Sequence, residues 1–150
     1  MMLRFPEFSR DMRRGDEAAV DALLAHTDAA AVARVAALRR SGRIAGEVVL
    51  PWQGEIVGYY ALARMQAPPG CYCLAALAID PDWQGMGHGR RLVGVLAEWA
   101  RLSGQSVIAR GPEAFFLRAG FELLKDGICH AGPVPGPDAL AFPPEMATAG

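Results

Sequence analysis

The spacing of apolar positions changes along the chain, and each change marks an element. Between residues 17 and 40 apolar side chains recur every three or four positions: Val20, Leu23 and Leu24, then Val32, Val35 and Leu38. That period predicts two helices meeting at Thr27-Asp28. Asp16 is placed to cap the first, with Glu17 in its opening turn. Arg39 and Arg40 end the second, where cations suit the helix dipole, and Ser41-Gly42 stops it. Upstream, Leu3, Phe5 and Phe8 predict an edge strand continued by Met12 to Arg14. Residues 44–52 and 56–65 are rich in β-formers and predict a hairpin about Gln53-Gly54-Glu55. The Pro/Gly loop at 66–70 follows. The nearly unbroken apolar run 72–79 predicts a central strand buried on both faces.

The clearest helix spans 90–102, with Leu92, Leu96 and Trp99 at i, i+4 and i+7. A short strand at 107–109 comes next. Pro112 suits the first helical position of a segment running to Ala119, and Gly120 suits its end. Residues 121–124 predict a strand, Cys129 and His130 an irregular segment, and 140–142 a last edge strand. The order β-α-α-β-β-β-α-β-α-β, with strands in runs, predicts an α/β chain of the α+β mixed-sheet kind, not a doubly wound parallel one. At 150 residues a single domain, 1–150, is expected, with a proline-rich tail over 131–150.

Composition mostly excludes. A net charge of −1 and a pI near 6.3 argue against a nucleic-acid coat, so no nucleic-acid partner is expected. Of the 15 basic residues all but Lys125 are Arg, and the chain holds no Asn. No stretch reaches the ~20 apolar residues of a membrane span, and the start of the chain lacks the apolar core of a signal peptide. The 3 cysteines, Cys71, Cys73 and Cys129, are neither a disulfide framework nor enough for a metal centre. Reduced thiols, a cytoplasmic location and no metal are therefore expected.

The chemistry concentrates in residues 74–91, LAALAIDPDWQGMGHGRR. An apolar strand ends, three alternating glycines follow, and an amphipathic helix begins at once. Glycines let backbone approach an anion closely. The first amides of a helix have no partner inside it and point outward along a favourable dipole. Arg90 and Arg91 oppose that dipole, which makes sense if an anion sits between them and the helix end. A P-loop would need Lys and Ser/Thr after the glycines, and a dinucleotide fold needs a different spacing in an early βαβ unit. Neither fits.

At these residues the sequence resembles the GNAT superfamily of N-acetyltransferases, whose signature is a central strand, often Asp-Pro, and then Q/R-x-x-G-x-G/A opening a helix. Here Ile79-Asp80-Pro81 precedes Gln84-x-x-Gly87-x-Gly89 and the helix from residue 90. The order of elements matches over about residues 10–125, with 54–62 like the family's third strand and 115–121 like its helix-to-strand ending. The resemblance implies an acyltransferase that takes acetyl-CoA as co-substrate. The pantetheine arm would lie along Leu77, Ala78 and Ile79, and the pyrophosphate on Gln84, Gly85, Met86, Gly87, His88, Gly89 and Arg90. The partner would be an amine acceptor, a small molecule or a protein amine, attacked without a covalent enzyme intermediate; a homodimer is compatible, the tail reaching a neighbour as an arm.

Amine acetylation needs a base, a donor for the thioester oxygen and a fate for the thiolate. The strand amides of Ala78 or Ile79 are candidate donors. Where the family often carries an acidic Tyr on the last helix, this chain has Phe116, beside Phe115. Tyr59, Tyr60, Glu47, Glu55, Glu113, His26, His88 and His130 are candidate bases, each with a simpler structural or solvated reading. Trp83 and Trp99 read as packing. The catalytic residues are thus unassigned, and two functions stay open: a GNAT N-acetyltransferase, or a noncatalytic acyl-CoA sensor motivated by Phe116.

Overall fold

The computed structural model describes residues 8–136 and 139–148. Leu3 and Phe5, expected in an edge strand, lie outside them. The first strand is only β1 (Arg10–Asp11), because a 3-10 turn at Arg14–Asp16 follows at once. Then come α1 (Glu17–Thr27), α2 (Ala29–Arg40), β2 (Ile44–Trp52), β3 (Glu55–Arg64) and β4 (Cys71–Ile79). After a 3-10 turn at Pro81–Trp83 follow α3 (His88–Ser103), β5 (Ser106–Arg110), α4 (Glu113–Arg118), β6 (Glu122–Lys125) and β7 (Ile128–Ala131).

The strands form one mixed sheet in the order β1-β2-β3-β4-β5-β7-β6, in which only β4 and β5 run parallel. The α/β, mixed-sheet expectation holds, although the strands are not all the predicted ones. Cys129 and His130 do not sit in an irregular segment: they belong to β7, which enters between β5 and β6. Its alternation, Ile128 and His130 against Cys129 and Ala131, is too short to stand out beside the proline-rich tail. The expected edge strand at 140–142 shrinks to one bridge, Ala67 to Ala141. Pro143 and Pro144, lacking amides, stop any ladder there.

The sheet separates two cores. Strand alternation sends Tyr59, Ala61 and Ala63 of β3 toward α1 and α2, where Val20, Leu24, Val35 and Leu38 pack. Tyr60 and Leu62 point the other way, into a core shared with Leu92, Val93 and Leu96 of α3 and Phe116 of α4. The described part of the tail lies against its own chain: Met146 enters the first core, Glu145 lies 3.4 Å from Arg43, and Arg110 stacks on Phe142. Among the described residues no helix is long and apolar enough to cross a membrane.

One polar network ties the helices to the sheet. The Tyr59 hydroxyl donates to Glu47 Oε1 at 2.6 Å, and Arg39 Nη2 of α2 donates to the same oxygen at 2.7 Å. Burial, reinforced by Glu47, raises the Tyr59 phenol far above its usual range. Leu38, one residue before Arg39, is fully buried. Leu38→Ala is expected to cost about 2–5 kcal/mol of stability, read from urea unfolding, because a rigid sheet beneath cannot collapse into the hole. A loss below about 1 kcal/mol contradicts that packing.

Candidate active site

The site begins with a strand that leaves its neighbour. β4 pairs with β5 only at Cys71↔Ser106, Tyr72↔Val107 and Cys73↔Ile108. Beyond that, β5 stays with β7 and β4 stays with β3. The cause is a bulge: Ala61 faces Ala76 and Leu62 faces Leu74, so Ala75 is an extra residue in β4. Its carbonyl accepts a 2.8 Å hydrogen bond from Nε of Arg34 on α2. The expectation of burial on both faces therefore fails in part, because Leu74, Leu77 and Ile79 are half-exposed along the opening.

The backbone of β4 can be traced to its end. The Asp80 amide donates to Val57 on β3 at 2.8 Å. Antiparallel alternation then turns the backbone groups of Ala78 toward its partner Tyr59, and those of Leu77 and Ile79 toward the open edge. Gln84 Nε2 caps the Ile79 carbonyl at 2.9 Å, leaving the Ile79 amide on that edge.

The strand runs directly into an anion cradle. Asp80 accepts the Asp82 amide at 2.9 Å and tightens the turn. Gly85 and Gly87 have φ of +81° and +83°, a region side chains disfavour, so the loop can wrap only with glycine there. Gly87 caps α3, so the amides of His88, Gly89 and Arg90 have no acceptor within the helix. A Cβ on Gly87 would lie 3.2 Å from Arg91 Nη1 and 3.7 Å from Arg90 Nη2, so both guanidiniums curl back over the cap. A Cβ on Gly89 would meet Ile79 and Phe115 at 3.4 and 3.7 Å, which keeps the helix end close to β4. Met86 is exposed at the loop tip. His88 is buried, its ring centroid 5.4 Å from that of Trp83, and Nδ1 accepts from Arg91 Nη2 at 2.6 Å. Nε2 then carries the proton, buried without a partner among the described residues. Ile79, Gln84, Gly87, Arg90, Phe115 and Arg118 line the resulting cleft of about 450 Å³.

A second cleft, of about 430 Å³, lies where β4 and β5 part, lined by Asp28, Arg34, Leu77, Arg110, Phe115 and Phe116 among others. Phe115 lines both clefts. Sequence reading missed Asp28, Arg34, Arg110 and Arg118 as site residues. Arg91 was read beside Arg90 as a cation placed for an anion. The others come from separate elements and carry no local motif.

The remaining candidates sit elsewhere. Phe116 is buried between the rings of Phe115 and Phe121. Glu47 and Tyr59 are engaged with each other, and Tyr60, pushed up to about 12 by burial, faces a groove on the α3 side of the sheet. Glu113 accepts the Gly127 amide at 2.6 Å and so ties α4 to the β6–β7 turn. His26 and Glu55 are exposed beside a separate depression. His130 is buried on β7, 3.6 Å from Glu122. Trp83 packs as expected, whereas Trp99 is 41% exposed and edges Tyr72. All three cysteines are buried free thiols; burial pushes Cys71 up to about 11 and Cys73 up to about 12, so neither is a nucleophile.

The sequence model of the acetyltransferase (GNAT) family matches residues 11–121. The chain is 38% identical over 71 residues to the uncharacterized N-acetyltransferase YjhQ of Escherichia coli, a stretch that is 47% of this chain and 39% of that protein. Among solved structures it resembles the GNAT family N-acetyltransferase YhbS of Escherichia coli in complex with CoA (TM-score 0.83, 21% identity, 98% of this chain and 94% of that one). It also resembles a GNAT family acetyltransferase from Brucella melitensis in complex with acetyl-CoA (TM-score 0.78, 21% identity, 93% and 97%).

Burial first, and then the Arg91 charge, hold His88 below its ordinary pKa of 6.5. NMR titration is expected to give His88 a midpoint below the 6.5 of a free imidazole. Arg91→Ala moves its midpoint upward but not to the free value, since burial remains. A wild-type midpoint at or above 6.5 refutes this account of the cap.

Proposed function

We propose, for a chain that belongs to the GNAT acetyltransferase family, that it is an N-acetyltransferase moving the acetyl group of acetyl-CoA onto a primary amine by direct attack. The observation that carries this reading is the strand edge of β4, opened at the Ala75 bulge and ending in a glycine cradle backed by two arginines. The two related structures hold CoA and acetyl-CoA, a ligand with an anionic head and a long amide-bearing arm. Both halves have counterparts here. The pyrophosphate rests on the loop and helix amides from Gly85 through Met86, Gly87, His88 and Gly89 to Arg90, with Gln84 leading the loop and Arg90 and Arg91 supplying charge. The pantetheine arm adds to β4 as an extra strand at Leu77 and Ile79, with Ala78 between them held to β3. A single domain and the cytoplasm remain our working setting, in keeping with the buried free thiols.

Acetyl-CoA supplies an activated acyl group with a good leaving thiolate; the chain supplies placement. Extended along β4, the arm brings the thioester to the bulge, between Leu74–Leu77 and the Asp28–Arg34 pair, whose nearest atoms are 3.5 Å apart. Asp28 is the carboxylate that receives the amine and, through water, its proton. With Phe116 in place of a phenol, the thiolate takes its proton from solvent. That same Phe116 favours the second reading, a noncatalytic acyl-CoA sensor.

Two measurements separate the readings. Acetyl-CoA at one hundred times its Kd should stabilise the protein by about 2.7 kcal/mol, and Gly87→Glu, which puts a carboxylate into the cradle, should abolish the gain. Thiol release with an amine panel is expected for the wild type. Binding without release from any amine leaves the sensor; no stabilisation at all removes both readings.

A further inference from the structure

We propose that the acceptor is a small amino acid, an amine that also carries a carboxylate, held by Asp28 at its amine and by Arg110 and Arg34 at its carboxylate. This rests on the transferase reading and names the substrate class of that same site. The second cleft is walled mainly by small or apolar groups, yet it contains three ionisable side chains, one carboxylate and two guanidiniums. Some arginines outside the cleft meet acids, Arg10 with Asp16, Arg39 with Glu47, Arg43 with Glu145 and Arg101 with Glu98, while others, such as Arg40, Arg64 and Arg118, meet none among the described residues. Arg110 meets none among the described residues. It stands at the end of β5, where β4 has already departed, its guanidinium 4.1 Å over the Phe142 ring. A flat ring holds a guanidinium in place without neutralising it, so its donors remain for an anion.

Arg34 is fixed more firmly. Its side chain is only 10% exposed, Nε is held by the Ala75 carbonyl, and Nη2 lies 3.5 Å from Asp28. Three groups, positive, positive and negative, thus surround a small space at the thioester end. An ammonium beside Asp28 and a carboxylate beside the arginines give each group an opposite charge, whereas a plain amine adds a further positive charge to a site already net positive. The planar guanidinium fork matches a carboxylate in particular. The phosphates of CoA do not explain these arginines, since the cradle beyond Phe115 has its own in Arg90, Arg91 and Arg118. The cleft volume, about 430 Å³ and shared with the acetyl end, suits a small acceptor.

The test compares matched amines in the thiol-release assay: L-phenylalanine against phenethylamine, and β-alanine against ethylamine. In at least one pair the carboxylated amine is expected to show a kcat/KM at least tenfold higher. Arg110→Gln should cut that ratio to about twofold or less through the KM of the carboxylated amine, with the KM of acetyl-CoA kept. Arg110→Lys should recover part of it, and the melting temperatures of both variants report their folding. Equal rates within each pair, or a preference untouched by Arg110→Gln, overturn the acceptor assignment while acetyl transfer stands. No release with any amine, although acetyl-CoA still raises the melting temperature, overturns the transferase reading and this assignment with it.

Discussion

The structure turns on a strand that cannot keep both neighbours. The extra residue Ala75 shifts β4 against β3, and after Cys73 the strand parts from β5. Backbone groups left along such an edge are expensive unless something answers them. Two side chains answer part of the debt. Arg34 takes the Ala75 carbonyl, and Gln84 takes that of Ile79. What remains lies beside the Leu77 and Ile79 backbone, where an extended ligand can supply the missing partners. The opening is thus a built feature: the Ala75 and Ile79 carbonyls are satisfied from within and the remaining edge is kept for a guest.

The arginines divide the opening into two electrostatic regions. At the head of α3, Arg90 and Arg91 fold back over Gly87, and His88 holds Arg91 through Nδ1. Cations there weaken an empty helix end but strengthen an occupied one, since an anion placed on the amides gains from both. At the bulge end Arg34 and Arg110 line a second cleft together with Asp28. Phe115 stands between the two and lines each. Its neighbour Phe116 is turned into the core of α3 and α4. The last helix therefore contributes walls, not protons.

How much of this was legible depended on how local the signal was. The helices α1, α2 and α3 followed from their period, and the hairpin from Gln53-Gly54. The glycine loop was legible because its physics is contained in six consecutive residues, Gln84 to Gly89. β7 was missed because four residues give too little alternation and prolines follow closely. The bulge was invisible for a deeper reason: a register shift is a relation between two strands, and Ala75 in an alanine-rich strand looks like its neighbours. Asp28, Arg34 and Arg110 were missed likewise. Asp28 reads as a helix break, Arg34 falls inside the second predicted helix, and Arg110 lies just past the predicted strand 107–109. Only the topology brings them to one cleft.

The absent phenol matters less than it first suggests, because the two proton transfers are unequal. A thiol with a pKa of about 8.5 leaves as thiolate at pH 7 for about 2 kcal/mol, whereas an amine near 10.4 must lose a proton costing about 4.6 kcal/mol. The larger task falls on the amine side, and there the cleft has means. The Arg34 guanidinium repels an ammonium and so pushes the amine toward its neutral form. Asp28 opposes that push but orients the nitrogen and gives its proton a way out through water. Arg34, 3.5 Å away, tempers how tightly Asp28 holds the ammonium. The same side chain that props open the bulge thus also helps ready the nucleophile, which is why the geometry of β4 and the chemistry of acetyl transfer cannot be varied independently in this chain.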